Sequence, residues 1–330
     1  MSTYEKFKGR HLLTITDYTP GEMIELLDLS DELKQRHQAA RNGSSLSGMH
    51  IAMVFEKSST RTRAATAVAA SAEGAYAEYL SSNDIHLGKK ESIADTARVL
   101  GRLFDGIMFR GFRHETVEAL AEFSGVPVWN GLTDSFHPTQ ALADLMTIRE
   151  HFNKLAGLKV VYIGDGRNNV ANSLMLACVR AGIEFVNCAP EELQPEAAVM
   201  ETAAREAGES GGSARYTPDP LEAVKDANVV YTDVWVSMGE EDLFAERVKL
   251  LMPYQVNGEL MKATGQLDDG NVIFLHCLPA YHDHNTKITE DCGALEVTDE
   301  VFEAPYSRVF DQAENRMHTI KAVLVATLDG

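Results

Sequence analysis

One stretch of the chain concentrates anion-binding chemistry. Glu56-Lys57-Ser58-Ser59-Thr60-Arg61-Thr62-Arg63 follows the apolar run Ile51–Phe55 and precedes an Ala-rich helical run. Ser58 or Ser59 is a natural N-cap for that helix. A helix N-terminus offers free N–H groups and a positive dipole, which suits phosphate, and arginine adds a bidentate, charged donor. An ordinary capped turn with solvated arginines is the plainer alternative; the density of hydroxyl and guanidinium groups weighs against it. Arg110 follows a second strand-like run, Gly106–Phe109. His137-Pro138-Thr139-Gln140 opens a helix, with Pro138 suited to its first turn and His137 and Gln140 at its mouth. Two arginines and a histidine at three strand ends point to one oxyanion-binding site.

The second half carries different groups. Gly164-Asp165-Gly166-Arg167-Asn168-Asn169 begins like a dinucleotide fingerprint, but Asn169 stands where the third glycine belongs. The next strand runs into Cys188-Ala189-Pro190 with no acidic end, so no nicotinamide cofactor is expected. Asn168 and Asn169 instead offer amide donors for a carboxylate. Asp233, ahead of Val234-Trp235-Val236-Ser237-Met238-Gly239, can hold an ammonium group; a surface loop is its alternative. In His276-Cys277-Leu278-Pro279, the Leu–Pro bond is a candidate for cis, and Cys277 by itself reads as an inert thiol rather than a covalent nucleophile. No metal cluster, nucleophile elbow or Walker loop competes. One half thus gathers positive charge for a phosphate-bearing substrate; the other gathers Asn, Asp and Ser for a zwitterion.

These groups need strand ends to position them. The first series reads as strands at Ile51–Phe55, Ala75–Leu80, Gly106–Phe109 and Val126–Trp129, with helices ending near Gly74 and spanning Glu91–Phe104, His114–Phe123 and Pro138–His151. The second reads as strands at Leu158–Ile163, Ile183–Cys188, Val229–Thr232 and Val272–Leu275. Helices run from Asn169 towards Gly182 and over Pro220–Asp226, and Gly208–Ser213 reads as an exposed loop. Alternating strands and helices predict an α/β fold of two doubly wound domains, each a parallel sheet flanked by helices. Ligands in such sheets bind beyond the carboxyl ends of the strands. The expected domains are residues 1–150 and 151–330, with a last helix at about 314–328.

Composition agrees. At roughly 100–200 residues per domain, 330 residues suit two domains. A net charge of −19 disfavours nucleic-acid and anionic-membrane partners. No apolar run approaches the roughly 20 residues of a membrane span, the N-terminus lacks a signal-peptide core, and the four cysteines form no C-x-x-C pair. A cytoplasmic location is expected.

Ser59-Thr60-Arg61-Thr62-Arg63, His137-Pro138-Thr139-Gln140, Asp233 with Ser237-Met238-Gly239, His276-Cys277-Leu278-Pro279 and Phe310-Asp311-Gln312-Ala313-Glu314-Asn315-Arg316-Met317-His318 together resemble the aspartate/ornithine carbamoyltransferase family, over nearly the whole chain. The Ser-Met-Gly and His-Cys-Leu-Pro strings are similar to its ornithine branch. The resemblance implies that Ser59, Thr60, Arg61 and Thr62 bind the phosphate of carbamoyl phosphate, and that Arg110, His137 and Gln140 bind its carbamoyl end. Arg316 would contact the same substrate. Asn169 would hold the L-ornithine carboxylate, Asp233 with Ser237 and Met238 its α-amino group, and Cys277 and Leu278 would line the pocket of the reacting amine and contact carbamoyl phosphate, with Cys277 among the catalytic residues. His86 stands where many relatives carry a Gln that reaches a neighbouring subunit's carbamoyl phosphate. The resemblance further implies trimers or their multiples, with sites shared between subunits, a cis Leu278–Pro279 bond, a last helix that returns to the first domain, and no cofactor or metal. Domain closure is expected to exclude water during the reaction. Ala64-Ala65-Thr66-Ala67 departs from the bulkier pattern of relatives, which leaves the packing of that helix open. A carbamoyltransferase for putrescine, a catalytically dead binding module and a dehydrogenase are the rival readings. Asn169 and Asp233 speak against the first, the intact basic residues against the second, and Asn169 in place of glycine against the third.

Overall fold

The computed structural model describes residues 4–329 apart from Asn42, Asp84, His86, Lys89 and 237–240. The chain forms two compact units, Met1–Met146 with Glu314–Gly330, and Thr147–Ala313.

In the first unit, β1 (His50–Phe55), β2 (Tyr76–Ser81), β3 (Gly106–Arg110) and β4 (Val128–Leu132) form a parallel sheet in the order β2-β1-β3-β4. The apolar strand β1 lies inside the sheet, and Ile51 to Phe55 are buried, as expected of a parallel strand covered on both faces. The edge strand β2 is only half-buried. The sheet is flanked by α1 (Pro20–Gln38), α2 (Thr60–Ala72), α3 (Ile93–Leu103) and α4 (His114–Ser124); α5 (Pro138–Phe152) runs on through the division after Met146. Val54, Ile107, Phe109, Val117 and Leu120 share one core cluster. The small residues Ala65, Thr66, Ala69 and Ala70 are the buried stripe of α2.

Ser59 caps α2, its Oγ accepting from Thr62 N at 3.1 Å. Losing such a cap costs about 1 kcal/mol. Ser59→Ala is therefore expected to lower the thermal midpoint by a few degrees in a melt followed by circular dichroism.

In the second unit, β5 (Lys159–Ile163), β6 (Glu184–Cys188), β7 (Ser213–Thr217), β8 (Val229–Thr232) and β9 (Ile273–His276) form a parallel sheet in the order β7-β6-β5-β8-β9. Its helices are α6 (Asn169–Arg180), α7 (Ala197–Ser210), α8 (Pro220–Val224), α9 (Phe244–Leu251), α10 (Gly258–Ala263) and α11 (Asp299–Phe302). Val161, Ile163, Val186, Val230 and Phe274 are at its core with Trp235 and Leu251.

Three expectations need correction. Gly208–Ser213 is not an exposed loop: α7 continues to Ser210 and β7 begins at Ser213. The glycines there make a tight helix end. Gly211 takes a left-handed φ of +76° as the cap, and a Cβ on Gly212 would lie 2.2 Å from the Val179 carbonyl oxygen. The fourth strand does not end at Trp129: β4 runs on to Leu132 and contains Asn130, and its register shifts opposite Phe109 and Arg110. The last helix, α12, begins earlier than expected and spans Val309–Leu328. From Glu314 onward it belongs to the first unit, where Trp129 Nε1 donates to Thr327 Oγ1 at 3.0 Å and Lys34 Nζ to Asn315 Oδ1 at 2.8 Å. None of the described helices is long and apolar enough to cross a membrane.

Candidate active site

In the first unit, α2 and the end of β3 meet α12 at Thr62. The buried Thr62 Oγ1 accepts from Arg316 Nη2 at 2.7 Å and from Arg110 Nη1 at 3.4 Å. Arg110, Arg316 and His137 are themselves buried. Arg61 is half-buried one residue earlier, whereas Arg63 is exposed and rests its guanidinium 3.8 Å from the Tyr79 ring centroid. Burial holds the His137 imidazole well below its ordinary pKa, and the positive charges of Arg316, Arg110 and Arg61 push it further down. Guanidinium groups gathered on one buried hydroxyl, beside an imidazole they keep neutral, form an arrangement that an oxyanion neutralises. His137 Nδ1 lies 3.3 Å from Thr139 Oγ1, and Gln140 Nε2 donates to Asp144 Oδ1 at 2.8 Å.

The pKa shift has a measurable sign. An unfolded chain protonates histidine near pH 6.5, while folded His137 resists until lower pH. The unfolded state therefore binds more protons as pH falls below about 6.5, and folding loses stability there. His137→Asn is expected to show a smaller drop in thermal midpoint between pH 7 and pH 5.5 than the parent. An equal drop in both would remove His137 from this balance.

Backbone contacts fix the exit of β3. Glu56 N donates to Arg110 O at 2.8 Å, and Phe112 N donates to Glu56 Oε2 at 3.1 Å. Gly111 lies between, where a Cβ would come within 2.2 Å of Glu56 Oε2. Glu56 thus holds the turn that carries Arg110. Its part in the site is not apparent from its position in the string, because its partner is 56 residues away.

In the second unit, a polar chain joins the ends of three strands. Asp233, after β8, accepts at Oδ1 from Val234 N at 2.8 Å and from Cys277 Sγ at 3.0 Å. Its Oδ2 accepts from Asn168 Nδ2 at 3.1 Å. Asn168 also caps α6, its Oδ1 accepting from Val170 N at 2.7 Å. Of the two asparagines after β5, Asn168 is therefore the one bonded to Asp233, and Asn169 is the first residue of α6. The Leu278–Pro279 bond is cis, matching the expectation. Ligand atoms of Asp233, His276 and Cys277 lie within 4.8 Å of one another. Both His276 nitrogens already make hydrogen bonds, so the trio could hold an ion only by giving one of them up.

The structure brings Thr62, Arg110, Arg316 and His137 together with Arg61 in one unit, and Asp233 with Cys277 in the other. Ser59 and Thr60 sit at the start of α2. His86, Ser237 and Met238 lie outside the described residues.

Paired parallel α/β units with such groups at the carboxyl ends of their strands define an enzyme of the doubly wound class. The chain belongs to the aspartate/ornithine carbamoyltransferase family. Residues 10–150 match that family's carbamoyl-P binding domain, and residues 156–327 its Asp/Orn binding domain. A catabolic ornithine carbamoyltransferase of Bacillus licheniformis is 56% identical over 327 residues, covering 97% of each chain. An ornithine carbamoyltransferase of Streptococcus suis is 58% identical over 328 residues, covering 98% of this chain and 96% of its own. The solved ornithine carbamoyltransferase of Pyrococcus furiosus superposes with a TM-score of 0.91 at 45% identity, covering 98% of both chains.

Proposed function

We propose that the protein transfers the carbamoyl group of carbamoyl phosphate to the side-chain amine of L-ornithine, giving L-citrulline and phosphate. The observation that carries this reading is the meeting of Arg110 and Arg316 on Thr62 beside His137. That cradle suits an acyl phosphate, and it lies at the start of a helix capped by Ser59. Ser59, Thr60, Arg61 and Thr62 hold the phosphate, with His86 as a further donor. Arg110, His137 and Gln140 hold the carbamoyl end, and Arg316 contacts the same substrate. Asn169 takes the ornithine carboxylate; Asp233, Ser237 and Met238 take the α-ammonium; Cys277 and Leu278 line the pocket of the reacting amine and contact carbamoyl phosphate.

The chemistry follows from these placements. The neutral amine attacks the carbonyl carbon, a C–N bond forms, and the carbonyl oxygen gains negative charge. Arg61, Thr62, Arg110 and a neutral His137 stabilise that charge. The carbonyl then re-forms as the bond from carbon to the phosphate oxygen breaks, and phosphate leaves with the proton that the amine gives up. Residues 1–150 serve as the carbamoyl phosphate domain and 151–330 as the ornithine domain, with the last helix returning to the first. The working form is a cytoplasmic homo-oligomer, a trimer or a multiple of it. A citrulline assay with ornithine, putrescine and aspartate as rival amines, run beside a size measurement, tests the reading. Citrulline from ornithine at a kcat/KM far above either rival product is expected. Turnover of putrescine alone, or of none, would overturn it.

A further inference from the structure

His276 closes β9 with no exposed surface, and its ring is spent on both sides. Leu278 N donates to His276 Nδ1 at 2.9 Å. Nδ1 must therefore be unprotonated, so Nε2 carries the hydrogen and donates it to Glu296 Oε1 at 3.1 Å. Glu296 is also fully buried, and the same oxygen accepts from Tyr281 N at 2.6 Å. The His276 backbone N–H donates to Gln312 Oε1 at 3.0 Å, and Gln312 Nε2 donates to Tyr231 OH at 3.1 Å. Glu296 thus ties the imidazole to the chain beyond the turn, and the imidazole ties the turn to itself.

The turn needs that support. Leu278 takes a left-handed φ of +57°, a conformation that residues with a side chain avoid. The residue just before it, Cys277, is the one whose Sγ donates to Asp233. A ring that fixes Leu278 N therefore fixes where Cys277 reaches Asp233.

We infer that His276 and Glu296 are positioning residues: the Glu296–His276–Leu278 relay holds the Cys277–Leu278 turn in register with Asp233. The inference rests on the proposed reading, in which Cys277 and Leu278 face the reacting amine. The relay predicts an asymmetry between two conservative variants. Asparagine at 276 places a polar atom where Nδ1 stands and can still accept from Leu278 N; glutamine places one where Nε2 stands and can reach only Glu296. His276→Gln is expected to lower kcat with ornithine roughly 10²-fold, the penalty of a misplacement of about 1 Å, and to raise the ornithine KM. His276→Asn should stay within about 10-fold of the parent, one hydrogen bond's worth.

A readout independent of turnover accompanies these. Alkylation of Cys277 by iodoacetamide, followed by peptide mapping, should accelerate in folded His276→Gln and not in His276→Asn, because only the former frees the thiol from Asp233. Equal losses in the two variants, or a loss confined to His276→Asn, would overturn the relay. Should His276→Gln not fold, a folded His276→Asn that falls 10²-fold still overturns it. If the parent itself makes no citrulline, the functional reading fails, while the alkylation pattern still judges the relay.

Discussion

Arg61→Ala is expected to lower kcat/KM for carbamoyl phosphate by more than about 10³, because one side chain serves two tasks. A single preorganised oxyanion donor is worth roughly 10²–10³ in rate, and Arg61 is assigned both phosphate binding and stabilisation of the developing carbonyl charge. The helix itself does not want this residue. Arg61 lies in the first turn of α2, which contains no acidic side chain, and a cation at a helix N-terminus opposes the dipole by about 0.3–1 kcal/mol. Removing it should leave the thermal midpoint unchanged or slightly raised, which separates a chemical loss from a folding defect. Arg61→Lys restores the charge without the planar fork and should recover only part of the loss. Near-normal turnover in Arg61→Ala would sink the assignment, and with it the reading of α2 as the phosphate site.

What could be seen in the sequence follows the same physics. β1 and β5 were legible because both faces of an inner parallel strand are buried, so Ile51–Phe55 and Leu158–Ile163 read as apolar runs. Arg110 and His137 were legible because ligand groups gather where strands end. Edge elements were harder: β7 is half-buried and polar, and its flanking glycines mimic a loop. α1 carries a signal of its own, a Thr19–Glu22 capping box with Pro20 at the first helical position, yet it holds none of the groups that drew attention to the other elements. Arg316 could be placed only through resemblance, because it comes from a helix 254 residues beyond its partner Thr62. The same is true of pairing in general. Asp233 and Asn168 were each visible as polar residues after a strand, but the bond between them spans 65 residues and exists only because β5 and β8 are neighbours in the sheet. Glu296 had no local mark at all; its importance lies entirely in what it touches.

That pairing makes Asp233→Asn the other large effect. The carboxylate accepts three donors: Val234 N and Cys277 Sγ on one oxygen, Asn168 Nδ2 on the other. An ionised carboxylate can do this because both of its oxygens accept. A carboxamide cannot. Whichever way it turns, its NH2 group meets a donor, either the Asn168 amide or the Val234 N–H and the thiol. The substitution also removes the negative charge assigned to the α-ammonium of ornithine. Breaking one side of a buried charged pair costs about 2–5 kcal/mol. Asp233→Asn is therefore expected to lower kcat/KM for ornithine by roughly 10³, most of it in KM, while carbamoyl phosphate binding in the other unit is unchanged. Asp233→Glu keeps the charge but is too long for a site only 7% exposed, and should rescue little. A short aliphatic amine without an α-ammonium should lose far less than ornithine in the same variant, since it never used the charge. If ornithine and that amine decline by the same factor, Asp233 is holding the turn and not the substrate.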